Sequence, residues 1–181
     1  MSLLYVDDIR GKTAATDVDL SNATNLKMPA GSVIQTVSGT YTTVGYTNST
    51  SPVQAWSGVS ITPKFSTSLI KVECNWYCMH RDYYDGYANI YRNGSAISGM
   101  QKIIRNAAHT GVNFISGNSR PIWYCPAWLW SFTEAAAGTS QITYSIHCWT
   151  QDTSQNTWWN DAYSNGNENP TSTMILSEIS Q

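Results

Sequence analysis

Charged side chains are scarce in this sequence. Lys and Arg number 10 and Asp and Glu number 12 among 181 residues, which gives a formal net charge of −2. No cluster of Lys and Arg is present, whereas contacts to phosphate groups need concentrated positive charge. We therefore expect no nucleic-acid partner.

Long apolar runs are also missing. No stretch approaches the roughly 18 apolar residues of a membrane-spanning helix, so we expect no membrane insertion. The opening MSLLYVDDIRGK has no basic segment followed by an apolar run, and we expect no signal peptide. The sequence therefore predicts folding in a reducing cytosol, where the four cysteines stay as thiols.

Recognisable catalytic motifs are absent as well. The sequence holds no GxSxG elbow, no HExxH, no P-loop and no GxGxxG after a strand. Asp82 and Asp85 share one predicted loop, where aspartate often serves turn geometry alone. We predict no catalytic residues and no cofactor, with a glycan-cleaving enzyme that uses paired carboxylates as an alternative.

The spacing of Cys74, Cys78 and His80 raises the question of a zinc site, because these are ligand types that zinc prefers. However, residues 69–78 alternate apolar and polar side chains, as a half-buried strand does. Cα atoms four residues apart on a strand are about 13 Å apart, too far for two thiolates to share one ion or to form a disulfide. We predict no metal site and interpret the cysteines as buried apolar side chains.

Strand patterns fill the sequence from residue 32 onward. The predicted inward faces are Ile70, Val72, Cys74, Trp76 and Cys78 in one strand and Ile142, Tyr144, Ile146 and Cys148 in another. Asn93-Gly94 predicts a hairpin, and Pro126 predicts an edge strand or a bulge. Only residues 100–109, MQKIIRNAAH, show helical spacing. Short strands separated by turns predict an all-β fold, a jelly-roll-like antiparallel β-sandwich.

The first 31 residues differ from the rest. They carry little periodic apolar signal and end at Pro29-Ala30-Gly31, which is typical of a turn. We predict an extended N-terminal arm over residues 1–31, followed by the sandwich domain over residues 32–181. The candidate attachment residues of the arm are Leu3, Leu4, Tyr5, Val6 and Ile9.

Tyr and Trp are abundant, with 11 and 8 residues against 3 Phe. Two aromatic and polar clusters fall in predicted loops, where rings can stack on a sugar while Asp and Asn bind its hydroxyl groups. The same rings could instead pack over the ends of the sandwich or against another subunit. The candidate glycan-binding or partner-binding residues are Asp82, Tyr83, Tyr84, Asp85, Tyr87, Trp158, Trp159, Asn160 and Asp161.

The order of the segments LLYVDDI, KMPAGSVIQTVSGTY, ITPKFSTSLIKV, IYRNGSAI and TSTMILSEIS resembles bacteriophage virion proteins of the tail-fibre type, which occur in phages of marine and freshwater bacteria, including cyanobacteria. The segment WYCPAWLW is much richer in Trp than that pattern, and the DYYDGY loop matches no motif in it. The landmark residues are Pro29, Gly31, Val33, Ile34 and Gln35; Ile61, Thr62, Pro63 and Lys64; Arg92, Asn93 and Gly94; and Glu178 and Ile179.

The resemblance implies a non-enzymatic structural protein of a phage particle, made in the host cytoplasm. It would be a homotrimer, either a short tail fibre or a capsid or tail decoration protein, whose arm docks on other virion proteins. The arm would become ordered on binding, which agrees with its weak apolar signal. The alternatives are a host-glycan-binding receptor-recognition module at a fibre tip and a tailspike-like enzyme that cleaves glycans.

Overall fold

The computed structural model describes residues 29–80, 85–104, 127–161 and 169–181, with Met79 and His80 described by their backbone alone. These residues form antiparallel strands and turns, which confirms the predicted all-β sandwich. A membrane-spanning helix is absent from the described ranges. The strands are β1 (Val33–Tyr41), β2 (Gly45–Thr47), β3 (Val53–Ile61), β4 (Leu69–His80), β5 (Gly86–Arg92), β6 (Ser95–Ala96), β7 (Lys102–Ile104), β8 (Ala127–Ala135), β9 (Ile142–Thr150), β10 (Thr157–Trp159) and β11 (Ser172–Ile179).

The strand order is that of a jelly roll. The six-stranded sheet contains the run β1-β11-β4-β8, and the short strands β10 and β2 extend it beside the end of β4. The five-stranded sheet contains the run β3-β9-β5-β7, with β6 also paired to β5. Numbered without β2, β6 and β10, these runs read 1-8-3-6 and 2-7-4-5, the order of two Greek keys folded into a sandwich.

Alternation along β4 and β9 places the core between the sheets. Every inward residue predicted for these two strands is buried, from Ile70 to Cys78 and from Ile142 to Cys148. The polar residues between them on β4 form the outer face of the six-stranded sheet. Successive side chains of a strand point to opposite faces, so the period-2 pattern was sufficient to predict both faces.

Four rings join the two sheets at one end of this core. Trp56 of the five-stranded sheet stacks on Tyr41 and Trp76 of the six-stranded sheet, with ring centroids 5.5 and 6.2 Å apart. Tyr41 and Trp76 stack on each other at 5.9 Å, and Trp159 of β10 lies 6.5 Å from Trp76. Because each ring belongs to a different strand, this aromatic cluster fixes how the two sheets lie across each other.

The other side of the sandwich is bridged by polar groups. Arg92 at the end of β5 donates to the carbonyl oxygens of Ala135 and Ala136, at 3.1 and 2.7 Å. Its guanidinium also lies 3.2 Å from Glu134 Oε1, which accepts a hydrogen bond from the hydroxyl of Tyr144. Burial, together with this bond to the carboxylate, raises the pKa of Tyr144, so its hydroxyl stays protonated and keeps donating.

The structure confirms two predicted turns and differs from the sequence pattern in one segment. Asn93 and Gly94 form the predicted hairpin turn between β5 and β6, with φ angles of 48° and 79°. The turn at the end of the predicted arm is present, because Ser32 N–H donates to Pro29 O at 3.0 Å. The helical spacing of residues 100–109 does not produce a helix at Lys102–Ile104, which is strand β7 paired to β5. A three-residue strand has no readable period, so pairing with β5 decided its structure.

Gly58 lies in an irregular part of β3, within the second of two shifts of its register with β9, between Trp56 and Val59. Its φ is +87°, and a Cβ atom there would stand 1.6 Å from the carbonyl oxygen of Tyr144. Gly94 has a similar φ of +79° but open space around its Cα. A side chain at position 58 would therefore meet both a steric clash and an unfavourable backbone conformation, whereas one at position 94 would meet only the unfavourable conformation.

We expect Gly58→Ala to reduce the free energy of unfolding by at least about 3 kcal/mol, because the backbone of β9 would have to move. Gly94→Ala should cost about 1 kcal/mol, since only the left-handed conformation opposes it. Urea denaturation followed by tryptophan fluorescence measures both values. Equal losses in the two variants would show that β3 does not approach β9 as described.

Candidate functional site

The first predicted cluster is only partly described. Asp82, Tyr83 and Tyr84 lie outside the described residues. Asp85 precedes β5, where its carbonyl accepts a hydrogen bond from Gln151 N–H at 2.8 Å and its N–H donates to Gln151 Oε1 at 3.2 Å. Tyr87 lies on the outer face of the five-stranded sheet, because Ala88 and Ile90 are buried in the core on the opposite side of β5. Asp85 and Tyr87 thus stay candidates.

The second predicted cluster is not a loop, and half of it is buried. Trp158 and Trp159 belong to β10. Trp159 is in the core, and Asn160 has no exposed surface. Asn160 donates from Nδ2 to Tyr41 O at 2.9 Å and accepts at Oδ1 from the Ser172 hydroxyl at 2.6 Å.

The assignment of Trp159 and Asn160 to a ligand-binding surface is therefore wrong. Trp159 is part of the aromatic cluster, and Asn160 links the end of β10 to β1 and β11. Asn160 also has a φ of 50°, a conformation that asparagine adopts more readily than most residues. Both residues are structural because β10 pairs with β4 on one side and β2 on the other.

Trp158 points away from the core, opposite to Trp159. Its ring lies 4.5 Å from that of Tyr46 on β2, at an angle of 35°. Tyr46 is 57% exposed, and Trp158 is half-buried. We call this pair the β2–β10 patch. It lies on the outer face of the six-stranded sheet, with Asp161 two residues beyond the end of the strand.

The remaining described candidates lie at one end of the sandwich but on opposite faces. β4 ends at His80 beside β10, and the chain enters the five-stranded sheet at Gly86. Trp158 is therefore on one outer face and Tyr87 on the other, with the two sheets between them. Packed sheets are about 10 Å apart, so Trp158 and Tyr87 do not share one surface.

The outer face of the five-stranded sheet carries two stacked ring pairs that the sequence did not reveal. Tyr87 stacks on Trp149 of β9 with ring centroids 5.4 Å apart, and Tyr91 stacks on His147 at 3.8 Å. All four rings are half-buried. Burial lowers the pKa of His147, which favours its neutral form at pH 7. We call these rings, together with Asn89 between them on β5, the aromatic face.

Sequence reasoning missed Trp149, His147 and Tyr91 because their significance depends on pairing between strands. β5 and β9 are separated by about fifty residues of chain, yet their register sets Tyr87 opposite Trp149 and Asn89 opposite His147. The alternation of β9 did place His147 on the outer face. Only the knowledge that β5 is its neighbour would have completed the cluster.

The outer face of the six-stranded sheet has a different character. The paired registers of β1, β11, β4 and β8 give four rows of four residues, which we call the neutral face. One Lys and one Glu are its only charged residues, and Lys71 Nζ lies 3.0 Å from Glu73. The rows are Val33, Ile179, Leu69 and Ala135; Thr36, Ser177, Lys71 and Thr133; Ser38, Ile175, Glu73 and Ser131; and Thr40, Thr173, Asn75 and Leu129.

The thiols of the predicted strands are not placed for chemistry. Cys74, Cys78 and Cys148 are buried, as the alternation predicted, and Cys125 lies outside the described residues. Burial raises the pKa of Cys74 and of Cys148 to about 12, so both stay as thiols at neutral pH. Among the described residues, His, Cys, Asp and Glu form no group of three that could hold a metal ion.

Glu178 joins the two ends of the described chain to the loop between β3 and β4. Its carboxylate accepts hydrogen bonds from the backbone N–H groups of Lys64 and Phe65, at 2.8 and 3.0 Å, and from Gln35 Nε2 at 2.6 Å. Gln35 Nε2 also donates to Thr62 O at 2.7 Å. Burial by itself would raise the pKa of Glu178, but these donors outweigh it and hold the pKa below its usual value.

This network predicts an acid-dependent loss of stability. A carboxylate with a lowered pKa in the folded state stabilises the fold above its unfolded pKa of about 4.3, and the contribution disappears as the pH falls through the folded value. We expect Glu178→Gln to lower the free energy of unfolding by about 2 kcal/mol at pH 7 and by less at pH 3. Chemical denaturation at both pH values measures this, and a pH-independent difference would contradict the role of the charge.

Comparison with known proteins gives no relative to guide the assignment. No known protein family matches the chain, and no curated protein sequence matches it. The geometry of the two outer faces and of the Glu178 network therefore carries the functional argument.

Proposed function

We propose that this chain is a non-enzymatic structural protein of a bacteriophage particle, a homotrimer that serves as a short tail fibre or as a capsid or tail decoration protein. The observation that supports this most strongly is the neutral face. Its one Lys and one Glu are paired with each other and its other positions are neutral, so contact with another subunit would bury no unpaired charge. Such a surface suits contact with further copies of the chain.

The exposed apolar side chains of the neutral face support the same proposal. Leu129 is 69% exposed and Val33 is 57% exposed, and Ile175 is exposed between them. Scattered single residues of this kind are common, but here they share one sheet face with Leu69 and Ile179. Burying them between subunits would remove apolar surface from water at about 25 cal/mol per Å².

Three landmark residues of the resemblance to phage virion proteins meet in the Glu178 network. Gln35, Lys64 and Glu178 come from three of the landmark segments, and the structure brings all three together around one carboxylate. The three segments that contribute Gln35, Lys64 and Glu178 are therefore neighbours in the fold. This agreement concerns the fold, and the virion role follows from the resemblance.

Attachment to the particle is assigned to residues 1–31. The residues proposed to dock, Leu3 to Ile9, lie outside the described ranges. The described part of the segment ends at Gly31, whose N–H donates to Ser180 O at 2.8 Å. Gly31 therefore lies beside Ser180, just before the start of β1 and next to the neutral face.

The trimer is tested by its mass in solution. We expect size-exclusion chromatography with light scattering to give three times the chain mass of 20.0 kDa. Leu129→Asp should shift the protein to a smaller species, because a carboxylate would be buried without a partner. Ile103→Asp is the matched control, since Ile103 is an exposed aliphatic residue on the opposite sheet. A wild-type monomer, or equal effects of the two variants, would contradict the proposed interface.

The arm is tested by deletion of residues 1–30 in a phage that encodes this chain. We expect the truncated protein to form the same trimer but to be missing from purified particles, as measured by quantitative mass spectrometry. The control is Leu3→Val, which keeps the apolar character of the arm. Normal incorporation of the truncated chain would exclude the arm as the attachment segment.

Glycan recognition is a second candidate function, and one observation favours it. Three partly exposed ring stacks lie on the outer faces of the sandwich, one in the β2–β10 patch and two on the aromatic face. Aromatic surfaces beside neutral polar groups suit the alternating C–H and hydroxyl groups of sugars. A trimer attached by its arm would present these surfaces to the host cell.

A further inference from the structure

Asn89 has an unusual position on the aromatic face. Strand alternation points its side chain outward from β5, yet the residue is only 6% exposed, because Tyr87 and Tyr91 stand on either side of it and His147 lies opposite. Its Nδ2 has one long hydrogen bond, 3.5 Å to Ile97 O. Its Oδ1 has no hydrogen-bond partner among the described residues. An unpaired buried acceptor costs about 1–3 kcal/mol, so its presence calls for an explanation.

The ring pairs around Asn89 are arranged in successive rows. Tyr87 and Trp149 occupy one row, and Asn89, His147 and Gln54 of β3 occupy the next. Rows on one face are two residues apart, which is about 7 Å. Stacking holds Tyr87 and Trp149 against each other, so this ring surface is ordered before anything binds to it.

From this arrangement we propose that the aromatic face is a binding site for a neutral oligosaccharide. The Tyr87–Trp149 pair contacts the C–H face of a sugar ring, and the Asn89 amide oxygen, which is buried in this structure, accepts a hydrogen bond from a sugar hydroxyl after the side chain of Tyr91 or His147 turns aside. This inference does not depend on the proposed trimer. It rests on the glycan-recognition candidate and locates that site on the sheet surface, while Asp82, Tyr83 and Tyr84 lie outside the described residues.

The chemistry of the face selects this class of ligand over others. No Asp, Glu, Lys or Arg occupies the described outward positions in the rows of Tyr87, Asn89 and Tyr91, so a phosphate or carboxylate ligand would find no fixed counter-charge. An extended peptide adds to the edge of a sheet, whereas these rings lie across its face. Hydroxyl groups can satisfy the free Asn89 oxygen, and Gln54 next to His147 is exposed and offers a second amide.

The test is isothermal titration calorimetry of the full chain with three neutral probes, maltohexaose, cellohexaose and N-acetylchitohexaose, and with oligogalacturonate as the anionic comparison. We expect at least one neutral probe to bind. Tyr87→Ala and Asn89→Ala should each weaken that binding by about tenfold or more, which corresponds to about 1.4 kcal/mol. Phe65→Ala is the matched control, because Phe65 is an exposed aromatic residue outside both the aromatic face and the β2–β10 patch, and it should bind as the wild type does. Tyr46→Ala tests the β2–β10 patch separately.

Each other result overturns the proposal. These results are no binding of any neutral probe, stronger binding of oligogalacturonate, or equal binding by wild type and both aromatic-face variants. Loss of binding in Tyr46→Ala alone would move the site to the β2–β10 patch. If Tyr87→Ala does not fold, by near-ultraviolet circular dichroism, Asn89→Ala decides alone, since it leaves every ring in place. The Leu129→Asp variant separates the proposed trimer from the proposed sugar site, because it should no longer form the trimer but should still bind the oligosaccharide.

Discussion

The stacking of Trp56 between Tyr41 and Trp76 is the contact on which the rest of the sandwich depends. These rings come from three strands in two sheets, and they pack near-parallel with centroids 5.5–6.2 Å apart. Each such pair adds about 0.5–1.5 kcal/mol beyond the apolar area that it buries. Because the rings fix the sheets across each other, the side chains of β4 and β9 that point inward fill one core, and those that point outward form two flat faces. Charged hydrogen bonds add to this: Glu178 of β11 binds the loop between β3 and β4, and Arg92 of β5 binds the end of β8.

The two outer faces differ in charge and in side-chain type, which suits one to assembly and the other to recognition. The neutral face has one ion pair, several exposed aliphatic residues and many hydroxyl groups, which suits contact with identical subunits. The aromatic face has no fixed charge in its ring-bearing rows and holds a buried amide oxygen without a partner. Assembly through one face leaves the other free, so a structural role and a recognition role are compatible in one protein. Neither role needs a reactive group. The buried thiols pack in the core, and the carboxylate of Glu178 accepts hydrogen bonds within the fold.

Much of the fold followed from the sequence because it depends on local rules. Alternation in β4 and β9, the Asn93-Gly94 turn and the absence of long helical periodicity were sufficient to predict a jelly-roll-like sandwich. The site was less predictable because it depends on which strands become neighbours. Trp159 and Asn160 looked like loop residues, since the three-residue strand β10 has no readable period and gains its place from β2 and β4. Tyr87 and Trp149 meet only through the pairing of β5 with β9, and Gln35 reaches Glu178 across 143 residues.

In the proposed assembly, copies of the chain meet through the six-stranded sheet and leave the five-stranded sheet exposed. Electron cryomicroscopy of the isolated oligomer, or of particles that carry it, measures this. The expected result is three copies whose β1, β11, β4 and β8 strands face one another, with Tyr87 and Trp149 accessible on the outside. Contacts made through the five-stranded sheet, or a protein that remains a monomer in the particle, would contradict the account.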